Sequence, residues 1–111
     1  MTPRTPPVLR RPNDPTLLVL TSLASGPKHG YALLKDVEVF AGVTLSPGTL
    51  YGAITRLEES GLIEPLGGAE RRRPYRLTAR GAQALQEVTS EMRRLANVGT
   101  TRLRLAAGGA R

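Results

Sequence analysis

Between Ser46 and Thr78 a helix with a small, polar face runs directly into a hairpin whose tip is a block of arginines. Ser46-Pro47-Gly48 reads as a helix start, because a serine hydroxyl accepts from the first free amides and proline is already bent for the first helical position. Leu50, Ile54 and Leu57 then share one stripe, leaving Gly48, Thr49, Gly52, Thr55 and Arg56 on or near the opposite side. Such a face is narrow enough to enter a nucleic-acid groove. Ser60-Gly61 ends the helix, and Leu62 to Leu66 reads as a strand. Gly67-Gly68 begins a turn, and Arg73 to Leu77 reads as the returning strand, with Arg71, Arg72 and Arg73 at or beside the tip. The pattern predicts an α+β chain that is mainly α.

The flanking segments predict what supports this unit. Residues 1 to 15 hold five prolines and three arginines, a composition that builds no packed core, so 1–13 reads as a flexible arm, either tolerated or DNA-contacting. Asp14-Pro15 starts a first helix whose Leu17, Leu18, Leu20 and Leu23 are apolar on more than one side, and Gly26-Pro27 stops it. Lys28-His29-Gly30 opens a second helix with Leu33, Leu34, Val37 and Phe40 as its buried stripe, closed by Ala41-Gly42. Val43-Thr44-Leu45 is a short extended connector, a candidate minimal strand against the hairpin.

After the hairpin, Thr78 reads as an N-cap, and Leu85, Val88, Met92 and Leu95 recur with spacing 3, 4, 3. This heptad-like seam is too short for an independent coiled coil. The first and last helices both carry surplus apolar surface, and mutual burial across a two-fold axis is the economical solution. The expectation is a homodimer in which Leu85, Val88, Met92 and Leu95 meet Leu17, Leu18 or Leu20 of a second copy. Gly99 marks the expected end of regular packing; beyond it Leu103 and Leu105 either continue the helix or pack on the partner, and Gly108 to Arg111 reads as disordered.

Charge and residue inventory narrow the function. The 111 residues suit one small domain, and 16 basic against 9 acidic residues give a net charge of +7, carried almost wholly by arginine. Arginine favours bidentate contacts to phosphate and guanine, although anionic membranes and acidic proteins attract the same surface. No apolar run approaches a membrane span and the start leads into no signal-peptide core, so a cytoplasmic protein is expected. Without cysteine there is neither a disulfide frame nor a thiolate metal site. His29 is the only histidine, Glu58 and Glu59 diverge on their helix, and no glycine-rich phosphate loop with its lysine is present. An enzyme, a bound metal and a cofactor are not expected.

Leu23, Gly26-Pro27, His29-Gly30-Tyr31, Ser46 to Tyr51, Arg56-Leu57-Glu58, Gly61-Leu62-Ile63 and Arg72 to Gly81 together resemble the PadR family of winged-helix regulators. The resemblance runs from about Pro15 to Leu95. It implies a winged helix-turn-helix domain with a C-terminal dimerisation helix; with the reading of the residues this divides the chain into 14–78, 79–98 and a tail over 99–111, partly disordered in this reading. It further implies repression of a nearby gene, often relieved by a small molecule. The chain resembles short members of the family and has no tryptophan to stack an aromatic effector.

Candidate contacts to double-stranded DNA are Tyr31, Ser46, Gly48, Thr49, Tyr51, Gly52, Thr55, Arg71, Arg72 and Arg73. Each has a plainer alternative. Tyr51 either hydrogen-bonds a phosphate or packs on the hairpin, Arg56 either reads a base or pairs with a carboxylate, and the three hairpin arginines either grip the duplex or are solvated. Competing functions are a non-specific architectural DNA- or RNA-binding protein and a module for an acidic protein partner. With few aromatic residues, stacking of single-stranded bases is poorly supported.

Overall fold

The computed structural model describes residues 13–67 and 73–109. The arm expected over 1–13 therefore lies, Asn13 aside, outside the described residues, as do Arg71 and Arg72. The element order is α1 (Pro15–Leu23), α2 (Gly30–Ala41), α3 (Pro47–Glu59), β1 (Ile63–Pro65), β2 (Tyr75–Leu77) and α4 (Ala79–Gly109). This is a mainly helical α+β fold, a three-helix head with a two-stranded wing followed by one long helix.

The helix starts follow from their caps. Asp14 accepts from the Thr16 amide at 2.9 Å with Pro15 in the first turn, and Ser46 Oγ accepts from the Thr49 amide at 3.1 Å ahead of Pro47. At α4, Thr78 Oγ1 accepts from the Gly81 amide at 3.0 Å. α2 ends on Gly42 in the left-handed conformation, which glycine adopts without a Cβ penalty. β1 and β2 are antiparallel, with Ile63 opposite Leu77, Glu64 opposite Arg76 and Pro65 opposite Tyr75. The hairpin extends by one bond from the Leu66 amide to the Pro74 carbonyl.

The core is built around α1, in which Thr16 to Leu20, Ser22 and Leu23 are all buried. Leu33 and Val37 of α2, Leu50, Ala53, Ile54 and Leu57 of α3, Leu62, Ile63 and Tyr75 of the wing, and Ala84 and Val88 of α4 complete it. Leu17, Leu18 and Leu20, expected to meet a second copy, are thus buried in their own chain. The wing and the first half of α4 fold back on α1 and consume the surface that looked surplus. Val88 is likewise covered within the chain, and Leu85 and Met92 pack half-buried against the same core. Of the expected seam, Leu95 alone is left largely exposed, at 74 %.

Three further expectations change. Val43 to Leu45 form no strand; the wing is met instead by Lys28, whose amide and carbonyl pair with Tyr75 at 3.1 and 2.9 Å. The extended turn that Gly26-Pro27 imposes after α1 puts Lys28 there. Phe40 is exposed, because it sits in the last turn of a twelve-residue helix packed on a nine-residue one. The helix does not end at Gly99: of the two alternatives for Leu103 and Leu105 the first is realised, and α4 is helical as far as Gly109. One glycine costs about 1 kcal/mol inside a helix, too little to break a segment otherwise rich in alanine, leucine and arginine.

The root of α4 is held at close quarters. The Thr78 amide donates to the Leu62 carbonyl at 3.1 Å, its hydroxyl donates to the Gly61 carbonyl at 2.7 Å, and Gly81 lies against the Leu62 backbone. A Cβ on residue 81 would collide with the Leu62 carbonyl oxygen and stand 2.9 Å from its carbon. Backbone cannot step aside as a side chain can. Gly81→Ala is therefore expected to cost about 3 kcal/mol, at the upper end of overpacking losses, in chemical denaturation. A loss below about 0.5 kcal/mol would show that α4 is not docked in this way.

Candidate nucleic-acid interface

α3 is amphipathic in the sense a groove-binding helix requires. Leu50, Ala53, Ile54 and Leu57 are buried, whereas Ser46, Gly48, Thr49, Tyr51, Thr55 and Arg56 are exposed and Gly52 is half-buried between them. No carboxylate occurs on α3 before Glu58 in its last turn. The outward face is thus small, hydroxyl-bearing and free of negative charge until the helix is nearly over.

Several of these groups are already oriented by their own helix. The Ser46 hydroxyl donates to Thr49 Oγ1 at 2.9 Å while accepting from the Thr49 amide, so both side chains are fixed at the leading turn. Thr55 Oγ1 donates to the Tyr51 carbonyl at 2.9 Å, which turns its lone pairs and methyl outward. Arg56 has no carboxylate partner among the described residues, and its Nη1 lies 3.7 Å from where a Cβ on Gly52 would be. Gly48 has open space around it. The alternative of Arg56 held in an ion pair is not realised.

The tyrosines differ. Tyr31, on α2, is 68 % exposed, and the Lys35 ammonium lies 5.7 Å from its ring centroid, one turn along the same helix. Tyr51 is half-exposed and its hydroxyl lies against Gly30, at the start of α2. The sequence reading missed both Lys35 and Gly30. The signal was there in the second case: a glycine occupies the first turn of α2, where serine, aspartate, glutamate or proline would favour the helix.

In the wing, Arg73 is half-buried with its guanidinium 6.0 Å from the Tyr75 ring centroid, and Tyr75 itself is core. Arg76 pairs with Glu64 directly across the hairpin at 2.7 Å, so its charge is locally compensated. Arg73 is thus the hairpin arginine that the described residues place against an aromatic face rather than a carboxylate. Among the described residues, no group of histidine and acidic side chains gathers to hold a metal, and no helix is long and apolar enough to cross a membrane.

Comparison with known proteins gives this geometry its context. Residues 19–87 match the transcriptional regulator PadR-like family. An uncharacterized 37.1 kDa protein in transposon TN4556 of Streptomyces fradiae is 46 % identical over 85 residues, covering 77 % of this chain and 25 % of that protein. The transcriptional activator GvpE2 of Halobacterium salinarum is 36 % identical over 77 residues, 69 % of this chain and 38 % of that one. The chain therefore spans well under half the length of these two relatives. Among solved structures, a PadR family transcription regulator from Clostridium difficile superposes with a TM-score of 0.69 at 28 % identity, over 80 % of this chain and 97 % of that one. With the family match spanning more than half of the chain and the winged-helix architecture shared with a solved member, this protein belongs to the PadR-like family of transcriptional regulators.

Proposed function

We propose that the chain is a homodimeric, sequence-specific DNA-binding regulator that represses by occupying its operator. The observation that carries the reading is the outward face of α3, from Ser46 to Arg56, small and polar with no carboxylate on it. In this reading α3 enters the major groove and Thr49, Thr55 and Arg56 meet base edges, while Tyr51 and Tyr31 position the backbone. Gly48 and Gly52 serve by being small. The hairpin with Arg71, Arg72 and Arg73 holds phosphates or the neighbouring minor groove. The match to an activator in Halobacterium salinarum favours a second reading in which the same contacts recruit rather than block. Transcription in vitro from the chain's own upstream DNA separates the two by its sign.

The binding test is fluorescence anisotropy with that upstream fragment and with random duplex at two salt concentrations. The logarithm of affinity is expected to fall by about 0.9 per phosphate neutralised, with half-sites about one helical turn apart. Replacing Arg71, Arg72 and Arg73 together should weaken all duplexes alike, whereas Thr49→Val or Thr55→Val should change preference among sites. Affinity that ignores salt sinks the DNA reading and leaves the acidic-protein module; steep salt dependence without preference leaves the architectural one.

The dimer in this reading is joined through the distal half of α4, where Leu95, Val98, Leu103 and Leu105 are exposed within the chain. Leu95→Asp with Leu103→Asp is expected to leave the head folded, since neither side chain touches its core, yet to give a monomer in sedimentation and weaken operator binding. A persistent dimer would rule out this half of α4 as the junction.

A small apolar or aromatic effector, in the same reading, sits between the subunits beside Met92, Leu95 and Val98 and acts through its preference for one spacing of the two α3 helices. Aliphatic lining without tryptophan predicts modest affinity and weak induction. A thermal-shift screen of phenolic acids and planar cations, with DNA release measured on each hit, tests this. Hits that leave DNA affinity unchanged would remove the sensor role.

A further inference from the structure

The contact between Tyr51 and Gly30 joins the two helices of the helix-turn-helix at their DNA-facing ends. Tyr51 projects from the second turn of α3, and its phenol crosses to the first residue of α2. A Cβ on residue 30 would collide with the phenol oxygen and lie 3.0 Å from Cζ and 3.6 Å from Cε1. The open space at residue 30 is therefore filled by one specific side chain. Gly30 does not have a positive φ, so its backbone is one that alanine also adopts. Nothing in the conformation demands glycine there; the ring does.

We propose that Gly30 is a positioning residue for DNA binding, which by lacking a side chain seats the Tyr51 phenol against the start of α2 and holds it in the pose that meets the duplex. The proposal deepens the DNA-binding reading and rests on it. Tyr51 is half-exposed, so one part of the ring is pinned while the rest stays available to a ligand. The side chain of His29, the N-cap of α2, makes no capping bond, so the phenol is the side chain that the structure places over this helix end. A ring whose hydroxyl end rests against the neighbouring helix has less freedom left to lose on binding, which is how pre-organisation contributes to affinity. It also ties α2 to α3, so that Tyr31 and Lys35 on one helix keep their offset from Thr49 and Thr55 on the other.

The sign of one substitution in two backgrounds tests this. Glycine to alanine at a helical position whose backbone alanine accepts is ordinarily neutral or stabilising. Gly30→Ala in the native background is expected to weaken operator binding about fivefold or more, because the ring must leave its seat, and to lower the melting temperature only slightly, because the half-exposed phenol can swing aside. In a Tyr51→Ala background the same change is expected to leave affinity within about twofold and the melting temperature level or higher. If Gly30→Ala fails to fold, the double variant must fold for the proposal to stand. Equal losses in both backgrounds, a double variant as unfolded as the single, or a Gly30→Ala protein identical to the native one would each overturn it. The melting comparison needs no DNA and judges the contact alone. A native protein that binds no duplex removes the DNA-binding reading, and with it any role of Gly30 in binding, while leaving the contact itself to be decided by melting.

Discussion

The fold depends on keeping α1 dry. Nine residues with seven buried leave this helix no solvent face to speak of, so it must be enclosed by its own neighbours before anything else in the chain has a fixed position. α2, α3, the wing and the first half of α4 all close on it. Enclosure carries a polar cost, since the last carbonyls of a helix need partners. Lys28 meets that need: its ammonium donates to the Ser22 carbonyl, to Ser25 Oγ at 2.6 Å and to the Gly26 carbonyl at 3.4 Å. A cation at a helix C-terminus is also favoured by the helix dipole. Ser22 Oγ donates in turn to Asp36 Oδ2 of α2 at 2.6 Å, with the Lys28 ammonium 4.0 Å from that carboxylate. Because the Lys28 backbone is also the residue paired to Tyr75, a single position ties α1, α2 and the wing together.

What can be read from the sequence is local. Asp14, Ser46 and Thr78 cap their helices because capping depends on a side chain and an amide two or three residues on, which adjacent letters reveal. The α3 stripe follows from periodicity for the same reason, and the two strands of the hairpin from the turn residues that bound them. The cover over Leu17, Leu18 and Leu20 is not legible in this way, because an apolar helix declares only that it must be covered, and not whether its own chain or another does so. Lys28 reads as an ordinary surface cation opening α2, since its partners come from the other side of a turn and from a strand some 47 positions later. A stop at Gly99 overweights one residue against the propensity of a long segment. At the interface, residue types are legible and their mutual support is not: no pattern of letters says that Tyr51 lies on Gly30.

The polar groups of the outward face divide into those already bonded within the protein and those with capacity to spare. Arg76 is matched by Glu64, and Ser46 is engaged as a cap on both its oxygen and its hydrogen. Thr55 has donated its proton to its own helix and retains acceptor lone pairs beside a methyl group, a combination suited to an exocyclic amine of a base or the methyl of thymine. Arg56 retains its whole fork of donors, which suits guanine or phosphate. A sequence preference, in such an arrangement, comes from few residues, and the surrounding hydroxyls and cations contribute position. In the proposed reading glycines at 48 and 52 would act in the same direction, because a helix closer to the groove floor brings these short side chains within reach.

α4 connects that face to whatever lies at its far end. Its 31 residues, about 47 Å at 1.5 Å each, are anchored at one end only. Thr78 and Gly81 fix the root to Gly61 and Leu62, just ahead of β1, and Ala84, Leu85, Val88 and Met92 lay the first half on the core. Beyond Leu95 the side chains are exposed, with leucine and valine among arginines. In the proposed dimer a long helix rooted in this way would act as a beam, and a small rotation between two such beams at their distal ends would displace the α3 faces. Spacing of the two reading helices in the proposed dimer would then be decided at residues that touch no nucleic acid, with the close approach of Gly81 to Leu62 at the base of that lever.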